Sequence, residues 1–290
     1  MKKIAILGCE NSHANAFLDF IRDRSEYSDI KVVGVYSNEP EAARAISEQY
    51  GVDILENYDS AVGEVDGIIV TARHGDNHYK YAAPYIKSGI PMFIDKPVTI
   101  SEEEALLFMR ELKENGVRFI GGSCLKYEDL IKKLRAERDD LVGGETTGGA
   151  IRAPIASNSP YGGYFFYAQH LVEMACEVFG RYPKSVIATE NGDTKNVIFR
   201  YDGFDAVGTY ADGSSAYFAA RYTKDKTHAG ECDIFASECF LREFDDYVSL
   251  LRGGEQKMSH NDFISPVFIM NAIARSLESG KEEAVKEFSV

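Results

Sequence analysis

The sequence predicts an α/β protein in two parts: an N-terminal Rossmann-like doubly wound parallel sheet, and a C-terminal α+β part with a mostly antiparallel sheet. Two observations predict this. Near the N-terminus, short apolar runs alternate with helical patterns of about ten to fifteen residues, which is typical of βαβ units. Towards the C-terminus, Asn-Gly and Asp-Gly pairs separate segments of alternating polarity, which is typical of β-hairpins. We expect one domain over residues 1–122 and a second over residues 123–290.

The N-terminal elements follow from apolar periodicity and from turn residues. Apolar runs predict strands over residues 3–8, 31–36, 67–72, 91–94 and 117–122. The first helix begins at Ser12, and the second begins near Pro40 and is ended by Gly51. A third helix is predicted over residues 79–88. Ser101 and Glu104 form a capping box that starts a fourth helix over residues 102–115.

The C-terminal part combines helices with hairpins. Helices are predicted over residues 127–138 and 163–180. Strands are predicted over residues 150–153, 185–190, 196–201, 206–210, 215–222 and 231–235. The turns between them include Asn191-Gly192, Asp202-Gly203 and Asp212-Gly213. Because large open sheets often pair across a two-fold axis, we expect a homodimer or a homotetramer.

Charge and length exclude several classes of protein. The 290 residues carry 32 basic and 46 acidic side chains, which gives a net charge of −14. This negative field opposes binding to nucleic acid and to anionic membrane surfaces. No apolar run approaches the roughly 18–20 residues that span a bilayer. The N-terminus is predicted to be a strand rather than a signal peptide, so we expect a cytoplasmic protein.

The cysteines and histidines form no recognisable metal or nucleophile motif. The five cysteines are scattered and include no C-x-x-C pair, which suits a reducing compartment. Neither an H-E-x-x-H sequence nor the signature of a serine or cysteine nucleophile is present. We therefore expect no metal centre.

The segment from Pro91 to Pro97 carries the most informative chemistry. Its apolar run predicts a buried parallel strand, and Asp95 and Lys96 follow at the carboxyl end of that strand. Ligands of open α/β sheets bind at this end of the strands. Lys96 is therefore a candidate for proton transfer or for contact with an anionic ligand. The alternative is a structural ion pair at the strand end.

These motifs resemble the glucose-fructose oxidoreductase / inositol dehydrogenase / MocA family of NAD(P)-dependent oxidoreductases. Asp95-Lys96-Pro97 is similar to the family's Glu-Lys-Pro motif, with one acid exchanged for the other. The strand end at Thr71, which a histidine-containing loop follows, also fits the family layout. The resemblance implies a nicotinamide cofactor, a small-molecule substrate and a cis Lys96–Pro97 bond.

The second half of the chain carries the resemblance further. Gly162-Gly163, a helix with His170, and a closing Phe-Gly pair are similar to the family's Gly-Gly…His helix. The segments 240–254 and 263–280 are similar to its last two helices. The resemblance therefore covers nearly the whole chain.

The first strand-to-helix turn departs from the dinucleotide pattern G-x-G-x-x-G. The six residues from Gly8 are Gly-Cys-Glu-Asn-Ser-His, so only the first glycine is kept. Glu10 puts a side chain where the pyrophosphate approaches the backbone, which predicts weaker dinucleotide binding or none. Asn11, Ser12 and His13 begin the next helix, and the N–H groups there could still hold a phosphate.

Ser37 lies where NAD-binding proteins place an acid for the ribose 2′-hydroxyl. A serine removes the repulsion that excludes a 2′-phosphate. No basic residue follows directly, because Arg44 lies two turns into the helix. The cofactor is therefore NAD or NADP, with a slight lean to NADP.

His170 is the second candidate for proton transfer. The family usually carries Asp four residues before this histidine to orient its ring, and this chain has Phe166 there. Tyr167 and Glu173 lie three residues on either side of His170 and share its helix face. Either could orient the ring in place of the missing acid, or Tyr167 is itself the acid–base group.

Further residues complete the predicted site. His74 and His78 follow the third strand, where a nicotinamide or substrate would rest; surface histidines are the alternative. The remaining cofactor contacts are predicted at Thr71 and Asp95. The remaining substrate contacts are predicted at Lys126, Tyr164 and Glu173.

Together these residues predict an oxidoreductase that transfers hydride to or from a small polyol, sugar or related hydroxy compound. Lys96 and His170 would handle the hydroxyl proton. The alternative from another class is a non-catalytic sensor or regulator that binds a dinucleotide or a sugar on the same fold. The missing glycines and the missing Asp favour the sensor, whereas Lys96 and His170 favour the enzyme.

Overall fold

The computed structural model describes residues 1–290, and its first half is built around a parallel sheet. The strands are β1 (Lys2–Leu7), β2 (Ile30–Tyr36), β3 (Gly67–Val70), β4 (Met92–Ile94) and β5 (Phe119–Gly121). They are all parallel, in the order β2-β1-β3-β4-β5. The connecting helices are α1 (Ser12–Asp23), α2 (Pro40–Tyr50), α3 (Asp76–Ile86) and α4 (Glu102–Glu114). The predicted Rossmann-like half is confirmed.

Helix boundaries in this half follow the residues that predicted them. The side chain of Asn11 caps α1 by accepting the N–H of His13 at 3.3 Å. The hydroxyl of Ser101 accepts the N–H of Glu104, also at 3.3 Å, and starts α4. Gly51 ends α2 in the left-handed conformation, at φ +66°. The Lys96–Pro97 peptide bond is cis, as predicted.

The second half contains a seven-stranded sheet. Its strands are β6 (Gly148–Ile155), β7 (Ser185–Asn191), β8 (Thr194–Arg200), β9 (Asp205–Asp212), β10 (Tyr217–Tyr222), β11 (Thr227–Cys232) and β12 (Glu283–Ala284). The order is β11-β10-β6-β9-β8-β7-β12, and only the β6–β9 pair is parallel. The predicted, mostly antiparallel sheet is confirmed. The helices are α5 (Asp129–Asp139), α6 (Phe165–Phe179), α7 (Cys239–Leu251) and α8 (His260–Ser279).

Two details of the second sheet differ from the prediction. The strand expected over residues 231–235 instead spans Thr227–Cys232, because a tight turn in which Thr223 N–H donates to Lys226 O at 2.9 Å pairs Tyr222 with Thr227. Strand β12 has only two residues, too few for a pattern in the sequence to reveal it. No helix of the protein is both long enough and apolar enough to cross a membrane.

Helix α7 lies late in the chain but packs on the first sheet. Phe244, Tyr247 and Leu251 of α7 are buried in one cluster with residues of β1 and α1. The ring of Phe244 stacks on Phe17 with 5.2 Å between centroids and meets Tyr27 edge-on at 5.0 Å. A C-terminal helix therefore completes the hydrophobic core of the N-terminal half.

This packing predicts a large effect for Phe244→Ala. Removal of a buried phenyl ring should lower the free energy of unfolding by about 3–5 kcal/mol, because the cavity it leaves is only partly refilled. Denaturant titration measures the loss. Ser249→Ala, at an exposed position of the same helix, is the matched control and should change stability little. Equal effects of the two substitutions would show that α7 does not contribute to this core.

Candidate active site

A cleft of about 900 Å³ lies between the carboxyl end of the first sheet and helix α6. Both halves of the chain contribute to it, and it lies outside the carboxyl ends of the strands, where open α/β sheets bind ligands. The predicted site residues that line it are Asn11, Ser12, His13, Lys96, Tyr167 and His170. The sequence therefore identified the two ends of this cleft, the α1 N-terminus and the α6 histidine, from different parts of the chain.

Asp95 is fully buried at the end of β4 and connects the first turn to the cleft lysine. One carboxylate oxygen accepts the side-chain amide of Asn11 at 3.1 Å and lies 2.6 Å from Nδ1 of His13. The other oxygen accepts the backbone N–H of Lys96 at 2.7 Å. Burial opposes ionisation, but the neighbouring His13 and Lys96 outweigh it and lower the pKa of Asp95. Asp95 is therefore a structural anion beneath the site rather than a direct cofactor contact.

Lys96 is buried at the floor of the cleft with few polar partners. Its ammonium makes one long hydrogen bond, 3.4 Å, to the carbonyl of Phe166. It also lies 4.6 Å from the ring centroid of Phe166 and 4.8 Å from that of Tyr167. Burial lowers the pKa of Lys96, and the charge of Asp95 only partly restores it. The amine is thus free to accept or donate a proton towards the cleft.

His170 is oriented by a residue that sequence reasoning missed. Its Nδ1 lies 2.7 Å from the hydroxyl of Ser123, which is fully buried just after β5. Tyr167 contacts the imidazole only through its ring, edge-on with 5.0 Å between centroids. Burial, together with the positive charge of Lys96, holds the pKa of His170 well below its ordinary value. The imidazole is therefore neutral at neutral pH.

Three of the predicted substrate contacts lie outside the cleft. Glu173 pairs with Arg181 at 3.0 Å and accepts the side-chain amide of Gln169 at 3.3 Å, so its carboxylate is not the partner of the imidazole. Lys126 pairs with the buried Glu243 at 3.7 Å and lines a different cavity of about 830 Å³. Tyr164 packs edge-on against Tyr210 beneath the helix. Tyr164 and Glu173 are directed to their own core partners because α6 is buried on several sides and sends its side chains in different directions. Lys126 lies in a short 3-10 turn, Cys124–Tyr127, before α5.

The histidines after β3 divide into two roles. His74 lines a small cavity of about 390 Å³ beside the first turn, together with Glu10. His78 is fully buried and its Nε2 lies 2.7 Å from the carbonyl of Ala72, so it is not a surface histidine. The hydroxyl of Thr71 donates to the carbonyl of Gly8 at 3.1 Å. Thr71 and His78 thus hold the backbone of the site rather than lining it.

Gly8 is kept for a steric reason. It has φ +86°, and a Cβ built there would lie 2.3 Å from the backbone of Ala72. Only glycine allows the first turn to pass this close to the end of β3.

Glu10 is buried, and its carboxylate bridges the ends of two strands. One oxygen accepts the hydroxyl of Ser37 after β2 at 2.7 Å, and the other accepts the backbone N–H of Arg73 after β3 at 3.0 Å. Strand β1 lies between these two strands in the sheet. The carboxylate therefore lies over the first turn, where the family pattern brings the pyrophosphate of a dinucleotide close to the backbone. It also brings a negative charge to Ser37.

The site fits a dinucleotide at its nicotinamide end. There Lys96 has a nearly unpartnered ammonium, and His170 keeps Nε2 free beside the same cleft. At the phosphate end, Ser12 and the α1 N-terminus remain accessible, but the carboxylate of Glu10 has to tolerate or yield to the phosphates. The residues that would hold the cofactor are therefore present, with one unfavourable charge among them.

Comparison with known proteins agrees with this geometry. Residues 2–123 match the family described as "Oxidoreductase family, NAD-binding Rossmann fold". The search of curated proteins gives no match. Scyllo-inositol dehydrogenase from Lactobacillus casei, solved with NAD(H) and scyllo-inositol, superposes with a TM-score of 0.86 at 14% identity, covering 98% of this chain and 99% of that one.

Other solved structures show the same fold at similar distance. Myo-inositol dehydrogenase from Corynebacterium glutamicum has a TM-score of 0.82 at 15% identity, covering 99% of this chain and 100% of that one. Myo-inositol 2-dehydrogenase from Lactobacillus plantarum has a TM-score of 0.85 at 14% identity, covering 98% and 99%. Identities this low establish the shared fold. With the family match over residues 2–123, they confirm the predicted resemblance of this chain to the Gfo/Idh/MocA family of NAD-binding oxidoreductases.

Proposed function

We propose that the protein is an NAD-dependent dehydrogenase that oxidises a secondary hydroxyl of a small polyol, sugar or related hydroxy compound, or catalyses the reverse reduction. The observation that carries this proposal is the pair of Lys96 and His170, two buried nitrogen bases that line one cleft. The inositol dehydrogenases named above, which share the fold, support the substrate class. NAD would accept or supply the hydride. This chain's own residues would bind and orient the substrate and would exchange its hydroxyl proton.

The proton chemistry follows from the two pKa shifts. Because burial lowers the pKa of Lys96, its amine can be neutral and take the hydroxyl proton during oxidation. His170 is neutral and held by Ser123 through Nδ1, so its Nε2 can accept a hydrogen bond from the substrate hydroxyl or pass the proton on. In the reverse direction, protonated Lys96 supplies the proton to the carbonyl oxygen.

We propose NAD rather than NADP. The slight lean to NADP rested on Ser37, whose neutral side chain would not repel a 2′-phosphate. In the structure, a carboxylate oxygen of Glu10 lies 2.7 Å from the hydroxyl of Ser37, so a negative charge stands at the position proposed for the ribose. It reaches this position from the first turn instead of from the end of β2.

We also propose a cytoplasmic location and a homo-oligomeric assembly for this protein. A reducing cytoplasm suits the free cysteines, four of which are buried. A homodimer or homotetramer formed through the open sheet of the second half is the assembly we propose.

The alternative of a non-catalytic sensor is tested by native mass spectrometry of freshly purified protein, followed by a substrate panel. Bound NAD without turnover of any hydroxy compound would favour the sensor.

Lys96→Ala tests the proposed chemistry. We expect kcat to fall by at least about 10²-fold, because positioned acid–base groups contribute this much. NAD affinity should largely survive, since the backbone N–H that Asp95 holds remains. His170→Ala should lower kcat by a similar factor. The kcat of the double variant should be little lower than that of either single variant if the two residues act as a unit. Normal turnover by Lys96→Ala would refute the mechanism.

The pH profile tests the state of Lys96. Oxidation needs the neutral amine, so kcat should rise with pH through an apparent pKa below the ordinary lysine value and then level off. His170 should add no step at neutral pH, because its own pKa is lowered well below that range. Lys96→Arg keeps the positive charge but does not titrate, and it should lose the rise. A flat wild-type profile over the neutral and alkaline range would contradict this assignment.

Glu10→Gln tests the charge on the cofactor path. Removal of a carboxylate near the phosphates should increase the affinity for both dinucleotides by about tenfold, because the two charges are a few ångströms apart at a protein surface. NADP should gain more than NAD, because its 2′-phosphate lies beside Ser37. Calorimetric titration with both cofactors measures the ratio. Glu48→Gln, exposed on α2, removes the same charge elsewhere and should leave both affinities unchanged; an unchanged ratio in Glu10→Gln would place the ribose away from Ser37.

A further inference from the structure

Two cavities meet beside the first turn of the sheet. One is the cleft of about 900 Å³, and the other is the smaller cavity of about 390 Å³ that Glu10 lines. Pro160 and Tyr161, on the loop between β6 and α6, line both cavities. The smaller one also reaches Asn38, directly after Ser37, which is the position proposed for the ribose. A dinucleotide with its nicotinamide in the cleft and its adenosine in the smaller cavity would therefore have its diphosphate at this junction.

Arg73 stands at the junction with a charge that the protein does not neutralise. Its half-buried side chain lines the larger cleft, and its guanidinium lies 5.1 Å from the ring centroid of Tyr161. Nη1 donates to the hydroxyl of Tyr161 at 3.0 Å, whereas Nε and Nη2 donate to no group of the protein. No carboxylate forms an ion pair with this guanidinium. Two of its three nitrogens are therefore available to a ligand.

Arg221 shows how this fold satisfies an interior guanidinium that has no carboxylate partner. It is fully buried, and all three of its nitrogens donate: to Thr146 at 2.8 Å, to the carbonyl of Val142 at 3.0 Å and to that of Gly144 at 2.7 Å. Arg73 differs because its free nitrogens belong to a side chain that lines a cavity. The preferred partner of such a fork of N–H groups is an anion that presents two oxygens, as a carboxylate or a phosphate does.

The carboxylate of Glu10 creates the need for a cation at this place. It accepts the backbone N–H of Arg73 at 3.0 Å, so it lies directly beside the loop that carries the guanidinium. Its bulk keeps a diphosphate away from the backbone of the first turn, and its charge repels the phosphates. A guanidinium on a long side chain reaches further than a backbone N–H and supplies the opposite charge. Ser12 and the N-terminus of α1 line the same cleft and would share the anion.

We propose that Arg73 binds the diphosphate of the dinucleotide, in place of the close backbone contact that a G-x-G-x-x-G turn provides. This inference rests on the NAD-dependent function proposed above and deepens it, because it names the residue that lets the altered first turn hold the cofactor. Arg73 was not among the site residues predicted from the sequence, since it lies on the loop after β3 and belongs to no nucleotide-binding motif.

Arg73→Gln removes the charge and keeps a polar side chain. We expect the Kd for NAD to rise by about ten- to a hundredfold, because a hydrogen bond to a charged group is lost. ADP-ribose has the same diphosphate but no nicotinamide ring, and its Kd should rise by the same factor. Calorimetric titration measures both constants, and thermal unfolding checks that the variant is folded.

Arg110→Gln is the matched control, because Arg110 is exposed on α4 and likewise forms no ion pair. It should change neither Kd. An unchanged Kd for NAD in Arg73→Gln would overturn the inference. A loss of affinity for NAD but not for ADP-ribose would also overturn it, since Arg73 would then act at the nicotinamide end.

Two further variants separate diphosphate binding from a structural role of Arg73. Arg73→Lys keeps the positive charge, so the Kd for NAD should rise less than in Arg73→Gln; an equal rise would show that this charge does not hold the diphosphate. Tyr161→Phe removes the hydroxyl that accepts from Arg73 but keeps the ring, and it should change the Kd little. A rise as large as that of Arg73→Gln would mean that Arg73 acts by joining the two halves of the chain through Tyr161, which contradicts the proposal.

Binding by the wild-type protein separates this inference from the proposed function. If it binds neither NAD nor ADP-ribose, the dehydrogenase function falls and the inference falls with it. If NAD binds and a hydroxy compound is oxidised while Arg73→Gln keeps the wild-type Kd, only the inference falls. If NAD binds without turnover of any compound, the same comparison of Kd values still decides, because it does not depend on activity.

Discussion

The buried carboxylate of Asp95 is the interaction on which the geometry of the site depends. It is shared by the Asn11 amide, the His13 imidazole and the N–H of Lys96, so it joins the first turn of the sheet to the lysine two strands away. A buried anion is stable only while its partners remain, and loss of one typically costs about 3–5 kcal/mol. The α1 N-terminus and the cleft lysine are therefore held in one fixed relation before any ligand arrives.

This anion also explains how two bases coexist in one apolar cleft. Burial drives both Lys96 and His170 towards their neutral forms, and the positive charge of Lys96 adds to this at His170. The charge of Asp95 opposes it at both residues. A neutral amine beside a neutral imidazole is suited to accept a proton when a hydroxyl is oxidised. The aromatic rings around Lys96 contribute by excluding water while still tolerating the ammonium through their π faces.

The sequence predicted the sheets and much of the cleft because those features depend on local patterns. Apolar runs, Gly51 and Ser101 marked element ends within a few residues, and Lys96 and His170 were found from their motifs. What it could not predict depends on contacts between distant segments. Ser123 orients His170 across 47 positions of sequence, and α7 completes the core of the first half. Spacing along a helix placed Glu173 on the face of His170 but does not show which neighbour each face meets. The family resemblance placed Lys126 at the substrate, and it could not show the pairing of Lys126 with Glu243.

The two departures from the family pattern have opposite electrostatic effects. At position 166 an acid is replaced by a phenyl ring, which removes a hydrogen-bond acceptor from the substrate side of the cleft. At position 10 a glycine is replaced by an acid, whose carboxylate stands between Ser37 and the backbone of Arg73 on the cofactor side. Relative to the pattern, negative charge has moved from the substrate half of the site to the dinucleotide half. The cofactor side of the site therefore carries a carboxylate next to Ser37, and the substrate side carries an aromatic ring next to the Lys96 ammonium. Glu10 and Phe166, which belong to the departures that favoured a sensor, are therefore also the two positions where the charge of this site differs from the family pattern.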